Sequence, residues 1–208
     1  MKLTKYTHSC VRIEKDGKVL VVDPGIWAEE EALAGADAIL ITHEHFDHVD
    51  QERIPSIEVP IWTTAGVAAQ LTEDGIGDRV TVVEDGKSFE AAGFAVKAYG
   101  RDHAIILPEM GVPCDNVGFL IEDAIYHPGD SWTKPDREVH TNLVPLAAPW
   151  FTMPAAVEYV RTVDAEQLVG IHDAMLSEIG LGMARTWIGA QSHKPYHGLT
   201  PGDWIELD

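Results

Sequence analysis

The sequence predicts an α/β fold in which two β-sheets pack face to face with helices on the outside. Three observations lead there. Short apolar runs with strand character recur in two sets along the 208-residue chain, and helical stretches accompany each set. Neither a low-complexity linker nor a fixed short repeat divides the sets. One domain spanning residues 1–208 is therefore expected, a length that suits one full core and leaves little room for a second.

The elements follow in order. Val11 to Ile13 and Lys18 to Val22 flank Asp16-Gly17, the signal of a hairpin, and Val19-Leu20-Val21-Val22 reads as a strand buried on both faces. Asp23-Pro24-Gly25 is a turn, Glu29 to Leu33 a short helix and Ala38 to Ile41 another buried strand. Strand Ile61 to Thr63, helix Ala65 to Thr72, and strands Val80 to Val83 and Phe94 to Tyr99 come next. A loop containing Pro108, Gly111 and Pro113 leads to a second hairpin, Val117 to Ile121 with Ala124 to Tyr126. Then come strand Leu143 to Ala147, helix Pro154 to Val163, strand Leu168 to Ile171, a helical stretch from about Met175 to Gly189, and a last strand at Trp204 to Leu207.

Composition narrows the function. Apolar residues make up 45% and charged residues 24%, the values of an ordinary globular protein. No stretch has the apolar length of a membrane span, and Met1 to Lys5 run into polar residues without a signal core, so a cytoplasmic protein is expected. The formal charge of −19 repels nucleic-acid backbones and anionic membranes, leaving a small molecule as the expected partner and the oligomeric state open. Cys10 and Cys114 lie outside any zinc-knuckle spacing and are expected to be buried free thiols.

The run Ile41-Thr42-His43-Glu44-His45-Phe46-Asp47-His48 carries the chemistry. Residues two apart in an extended segment point the same way, so His43 and His45 can reach one metal ion, while Asp47 and His48 can reach a second position after the chain turns. Imidazole with carboxylate suits zinc, manganese or iron, and the lack of cysteine speaks against a structural zinc site.

This run resembles the His-x-His-x-Asp-His hallmark of the metallo-β-lactamase superfamily, and the resemblance extends over essentially the whole chain. It implies a four-layer αββα sandwich with two divalent ions at one edge between the sheets, zinc by default and manganese or iron as alternatives. It further implies that His43, His45 and His103 bind the first ion, that Asp47, His48 and His172 bind the second, and that Asp130, in Gly129-Asp130-Ser131, bridges them. Tyr6-Thr7-His8-Ser9-Cys10, His103-Ala104, Asn116-Val117-Gly118 and Gly129-Asp130-Ser131 together look like the small members related to L-ascorbate-6-phosphate lactonase, in which the early histidine sits near the metals. His8 is thus a possible site-lining residue, and Asp23 is expected to brace the metal loop through hydrogen bonds.

The expected enzyme is a dinuclear metal-dependent hydrolase whose metal-bound hydroxide attacks a small ester, lactone, amide or phosphoester. Asp130 would set the metal separation, and Asp47 would orient the nucleophile and pass a proton to the leaving group. Trp27, Trp132, Trp150, Phe151 and the segment Ile105 to Asp115 are candidate pocket walls. The alternatives are a nuclease of the same superfamily, disfavoured by charge and length, and a non-catalytic metal-dependent binding protein, which a missing ligand would mark. A flavodiiron-type oxidoreductase would carry a glutamate where His45 stands.

Overall fold

The structure, a computed structural model, describes residues 1–207. Its first sheet runs in spatial order through the chain's last strand (Trp204–Glu206), β1 (Lys2–Lys5), β2 (Val11–Lys15), β3 (Lys18–Val22), β4 (Ala38–Leu40), β5 (Ile61–Thr63) and β6 (Val80–Val82). The second sheet contains β7 (Ser88–Ala91), β8 (Phe94–Tyr99), β9 (Gly118–Ile121), β10 (Ile125–His127), β11 (Val139–Pro145), β12 (Ala165–Ile171) and β13 (Tyr196–His197), adjacent in that order. The last strand is β14.

Alternation along the strands decides the layers, because successive side chains leave opposite faces of a sheet. Leu20 and Val22 of β3 and Ala38 and Leu40 of β4 enter the central core, where they join Phe119 and Ile121 of β9 and Val169 and Ile171 of β12 from the facing sheet. The alternate residues Val19, Val21 and Ile39 point outward, under helix α1 (Ala65–Glu73) through Val67 and Leu71. Leu120 and Leu168 likewise meet α2 (Met153–Thr162) and α3 (Glu178–Ser192) on the other outer face. The result is the expected αββα sandwich, its continuous apolar strands buried on both faces.

The starts of α2 and α3 are encoded locally. Thr152 accepts from the Ala155 N–H and Ser177 from the Gly180 N–H, each hydroxyl satisfying an amide that has no partner inside its helix. Three strands go beyond the sequence expectation: β1, β7 and β13. The expected helix at Glu29 to Leu33 is a short 3-10 turn over Glu30–Leu33, closed within a few residues by Gly35 in a left-handed conformation (φ 66°). Among the described residues, no helix is long and apolar enough to cross a membrane.

Candidate metal centre

Strand ends deliver the site. His43 follows β4, His103 follows β8, Asp130 follows β10 and His172 follows β12, while His8 sits in the β1–β2 connection and Asp23 just past β3. Two close approaches make this possible. A side chain at Gly25 would sit 2.0 Å from the Asp47 carbonyl oxygen, so only glycine lets the Asp23 turn lie against the histidine-rich loop. Gly129 has φ 62°, and a Cβ there would meet Asn116 Oδ1 at 2.3 Å, so glycine also fixes the turn that presents Asp130.

All seven sequence-predicted ligands come together. His43 Nε2 lies 3.1 Å from His45 Nδ1, and His43, His45, His103 and Asp130 form one group whose potential ligand atoms all fall within 4.8 Å of one another. Asp47, His48, His172 and His8 form a second such group. Asp130 stands between them. Its Oδ2 is 3.3 Å from His103 Nε2 and 4.0 Å from His43 Nε2, whereas its Oδ1 is 3.1 Å from both His48 Nε2 and His172 Nε2.

Hydrogen bonds on the far side of each ring set these orientations. Asp23 is wholly buried; its Oδ1 accepts from the Thr42 N–H and its Oδ2 from the Thr42 hydroxyl, both at 2.7 Å. With its proton given to Asp23, the Thr42 hydroxyl accepts from His43 Nδ1 at 3.0 Å. His48 Nδ1 donates to Asp23 Oδ2 at 2.6 Å, His103 Nδ1 to the Ala104 carbonyl at 2.6 Å, and His172 Nδ1 to the Ala147 carbonyl. Each of these four imidazoles therefore turns Nε2 inward. The buried Nε2 atoms of His48, His103 and His172 and Oδ1 of Asp130 make no aligned hydrogen bond, despite separations near 3 Å. Converging buried donor atoms of this kind suit divalent cations, since imidazole nitrogen and carboxylate oxygen bind zinc at ~2.0–2.2 Å.

His8 is placed differently. Its Nδ1 accepts from the Ala174 N–H at 3.3 Å, which leaves Nε2 to donate to Asp47 Oδ2 at 3.1 Å. Burial holds the His8 imidazole below its usual range despite Asp47, in keeping with a neutral donor. Although its ring meets the distance criterion for the second group, this hydrogen-bond pattern makes it a partner of Asp47.

Electrostatics separate the two groups. Burial and the neighbouring His48 push His43 well below the ordinary histidine range, and burial with His103 lowers His45. Burial also opposes charge on His48, but the carboxylates of Asp130 and Asp23 outweigh it and hold the imidazole well above its usual range. Asp130 is kept well below the carboxylate range because His48 and His172 overcome its burial. Asp47 sits at about 2, where the His8 hydrogen bond and the nearby His48 and His172 outweigh burial.

Several expected roles are refined by their surroundings. Of the aromatic candidates, Trp27 and Trp150 line the cavity over the histidines, whereas Trp132 and Phe151 pack in the apolar layer beneath α2. From the segment Ile105 to Asp115, Ile106 reaches that cavity. Cys10 is a buried free thiol as expected; Cys114 is only half-buried, its Sγ 4.0 Å from His45 Nε2, because its loop skirts the mouth of the site. His127 is structural: Nε2 donates to the Ser9 carbonyl and Nδ1 accepts from the Gly129 N–H. Ser131 donates to the Pro128 carbonyl and so shapes the aspartate turn. Sequence reasoning missed Asn116 as a clamp, whose Oδ1 accepts from the Asp130 N–H while its Nδ2 donates to the Pro128 carbonyl. It also missed the Trp150 indole, which donates to Asp130 Oδ2 at 3.0 Å.

Comparison with known proteins gives the family. Residues 2–172 match the family described as Beta-lactamase superfamily domain, and the chain belongs to this superfamily, with the metallo-β-lactamase fold. Protein Rv0786c of Mycobacterium tuberculosis is 34% identical over 194 residues, covering 88% of this chain and 89% of its own. The UPF0173 metal-dependent hydrolase MJ1163 of Methanocaldococcus jannaschii is 25% identical over 178 residues, covering 81% of this chain and 77% of its own. Among solved structures, Igni18, described as a novel metallo hydrolase from the hyperthermophilic archaeon Ignicoccus hospitalis, superposes with a TM-score of 0.74 at 19% identity, covering 100% of this chain and 99% of that one.

Proposed function

We propose that this chain is a two-metal hydrolase acting on a small ester, lactone, amide or phosphoester. The broader statement, a metal-dependent hydrolase of the metallo-β-lactamase superfamily, is supported by relatives bearing that description and by two groups of buried ligand-type side chains. The observation that carries the finer reading is Asp130, whose two oxygens face separate sets of imidazole nitrogens. Divalent ions held there would activate water at neutral pH and polarise the oxygen of the scissile group.

The side chains supply the rest. His43, His45 and His103 would hold one ion, Asp47, His48 and His172 the other, and Asp130 both. Asp47 keeps about 15% of its side chain exposed, unlike the buried histidines beside it, and is held ionised at about 2, so it would orient the nucleophile and pass a proton on to the leaving group without retaining it.

Asp130→Asn tests this reading. It preserves size but removes the charge between two cations and one strong ligand oxygen. Turnover should fall at least about a hundredfold, some 2.7 kcal/mol of barrier, and elemental analysis should show less than the two equivalents of metal expected for the parent protein. Circular dichroism should show the fold intact. Equal turnover by the variant would remove Asp130 from the centre, and a metal-loaded parent that hydrolyses nothing on a broad panel would favour the binding-protein alternative.

A further inference from the structure

We infer that the substrate of this site is electrically neutral and carries a compact apolar group; the inference rests on the hydrolase reading for its chemistry, but not for its recognition. The cavity over the histidines has a volume of about 240 Å³. That is below the ~300–1,000 Å³ of pockets for drug-sized ligands, so the molecule it takes is small. Of its eleven lining residues, five are metal-ligand candidates and the others are Trp27, Phe46, Ile106, Pro149, Trp150 and Met175. The wall beyond the reacting centre is therefore apolar throughout.

This wall is built rather than accidental. Trp27 is held edge-on between His8 (ring centroids 4.9 Å apart) and Phe46 (5.6 Å), and the Ile26 N–H donates to the Phe46 carbonyl, so two loops brace one aromatic corner. Trp150 is fixed by its bond to Asp130. Phe46 is 58% exposed and Met175 51%, which is costly for large apolar side chains in water unless something covers them.

Charge gives the second half of the argument. The segments framing the cavity, residues 23–31, 44–52, 102–115, 147–153 and 172–179, contain no lysine or arginine, and Lys5 and Arg53, which reach into them from outside, are paired with Asp173 and Asp50. The same segments contain Glu29, Glu30, Glu31, Glu44, Asp50 and Glu52 among other acids. Sites that take phosphate monoesters or carboxylates usually clamp the remote anion with Arg or Lys, and the N-termini of α2 and α3, which two of these segments contain, are already capped by Thr152 and Ser177. Here a remote anionic group would meet an apolar wall with no lysine or arginine in it. A phosphorylated sugar, or any substrate with a second negative charge, is disfavoured.

The test uses the metal-loaded protein and esters of one phenol, so that the leaving group is constant. The 4-nitrophenyl esters of acetic, butyric and pentanoic acids are compared with the hemisuccinate, an anionic acyl group of similar length, and with 4-nitrophenyl phosphate. We expect kcat/KM to rise about threefold per methylene, chiefly through KM, until the cavity fills. The hemisuccinate and the phosphate should be at least tenfold poorer than the pentanoate. Ile106→Ala should flatten the chain-length series, and Met175→Lys should narrow the gap between hemisuccinate and pentanoate. Binding of 4-phenylbutan-1-ol and of 4-phenylbutyrate to chelator-treated protein, read by tryptophan fluorescence, supplies a measurement independent of turnover; the alcohol should bind more tightly and Ile106→Ala should weaken it. A preference for the anionic acyl group or the phosphate, or no dependence on chain length, overturns the inference while leaving the hydrolase intact. Selective, Ile106-dependent binding of the alcohol by a protein that cleaves none of these esters supports the recognition and removes 4-nitrophenyl esters from the substrates of the hydrolase. Absence of both selective binding and chain-length dependence overturns the inference.

Discussion

The indole of Trp150 donates its Nε1 hydrogen to Oδ2 of Asp130 across 3.0 Å, and both residues are buried. The same oxygen faces His43 and His103, so the tryptophan decides how the carboxylate is turned between the two groups of imidazoles. Trp150→Phe keeps most of the bulk and removes this single donor. Partners of this kind typically contribute 10–100-fold in metal affinity. We expect a loss of about tenfold, read by competition with a chromophoric chelator, while the unfolding midpoint of the metal-free protein moves little. Unchanged affinity would mean that the Asn116 clamp and the Gly129 turn alone orient Asp130.

His8 offers a cleaner division between ligand and partner. Because its Nδ1 is occupied by the Ala174 N–H, the proton on Nε2 is committed to Asp47. His8→Ala should therefore leave two equivalents of metal bound but lower kcat, by about ten- to a hundredfold if the bond contributes at the level usual for partners of ligating groups. His8→Gln, whose amide can donate in a similar place, should restore part of it. A drop to one equivalent of metal in His8→Ala would make His8 a ligand instead.

The two metal positions should differ in their proton chemistry. His43 and His45 are shifted down, so these two imidazoles of the first group are already unprotonated near pH 7. His48 is shifted up by Asp130 and Asp23, so in the metal-free protein it retains its proton through neutrality. An ion entering beside His48 must displace that proton, and its affinity should rise about tenfold per pH unit until the raised pKa is passed. Calorimetry in buffers of different ionisation enthalpy should find about one proton released with the weaker ion and close to none with the tighter one. Equal proton release for both ions would refute this asymmetry.

What could be read from the chain follows a physical divide. The candidate ligands His43, His45, Asp47 and His48 are adjacent in sequence, whereas His103, Asp130 and His172, which follow strands with apolar runs, are singled out by the resemblance to the metallo-β-lactamase superfamily and not by any local pattern. Buried strands such as Val19 to Val22 were legible because apolar character on both faces leaves little alternative. By contrast, β1 is Lys-Leu-Thr-Lys, β7 is Ser-Phe-Glu-Ala and β13 has two residues; their pairing depends on neighbouring strands offering backbone partners, which no local pattern announces. The polar contacts were least legible. Trp150 and Asp130 are 20 residues apart, and Lys5 and Asp173 168 apart, so their meeting depends on the paths of whole loops.

That last pair supplies the most direct stability test. Lys5 is completely buried at the end of β1, and its Nζ lies 3.0 Å from both Asp173 Oδ1 and the Tyr6 carbonyl. Asp173 immediately follows His172, whose own backbone N–H donates to the His8 carbonyl, so one buried ammonium ties the first strand to the loop carrying the last ligand. Lys5→Met retains the apolar stem but strands the Asp173 carboxylate, which has only about 10% of its side chain exposed. Removing one partner of a buried pair costs about 3–5 kcal/mol, and the slight exposure of Asp173 favours the low end, about 3 kcal/mol. Urea unfolding of the metal-free variant should show this as a shifted midpoint with an unchanged slope. The double change Lys5→Met with Asp173→Asn should recover much of the loss, because the penalty lies in the unpaired charge and not in the missing attraction. A single variant as stable as the parent would show that Asp173 finds water or another donor once the lysine is gone, and that the loop does not depend on this tether.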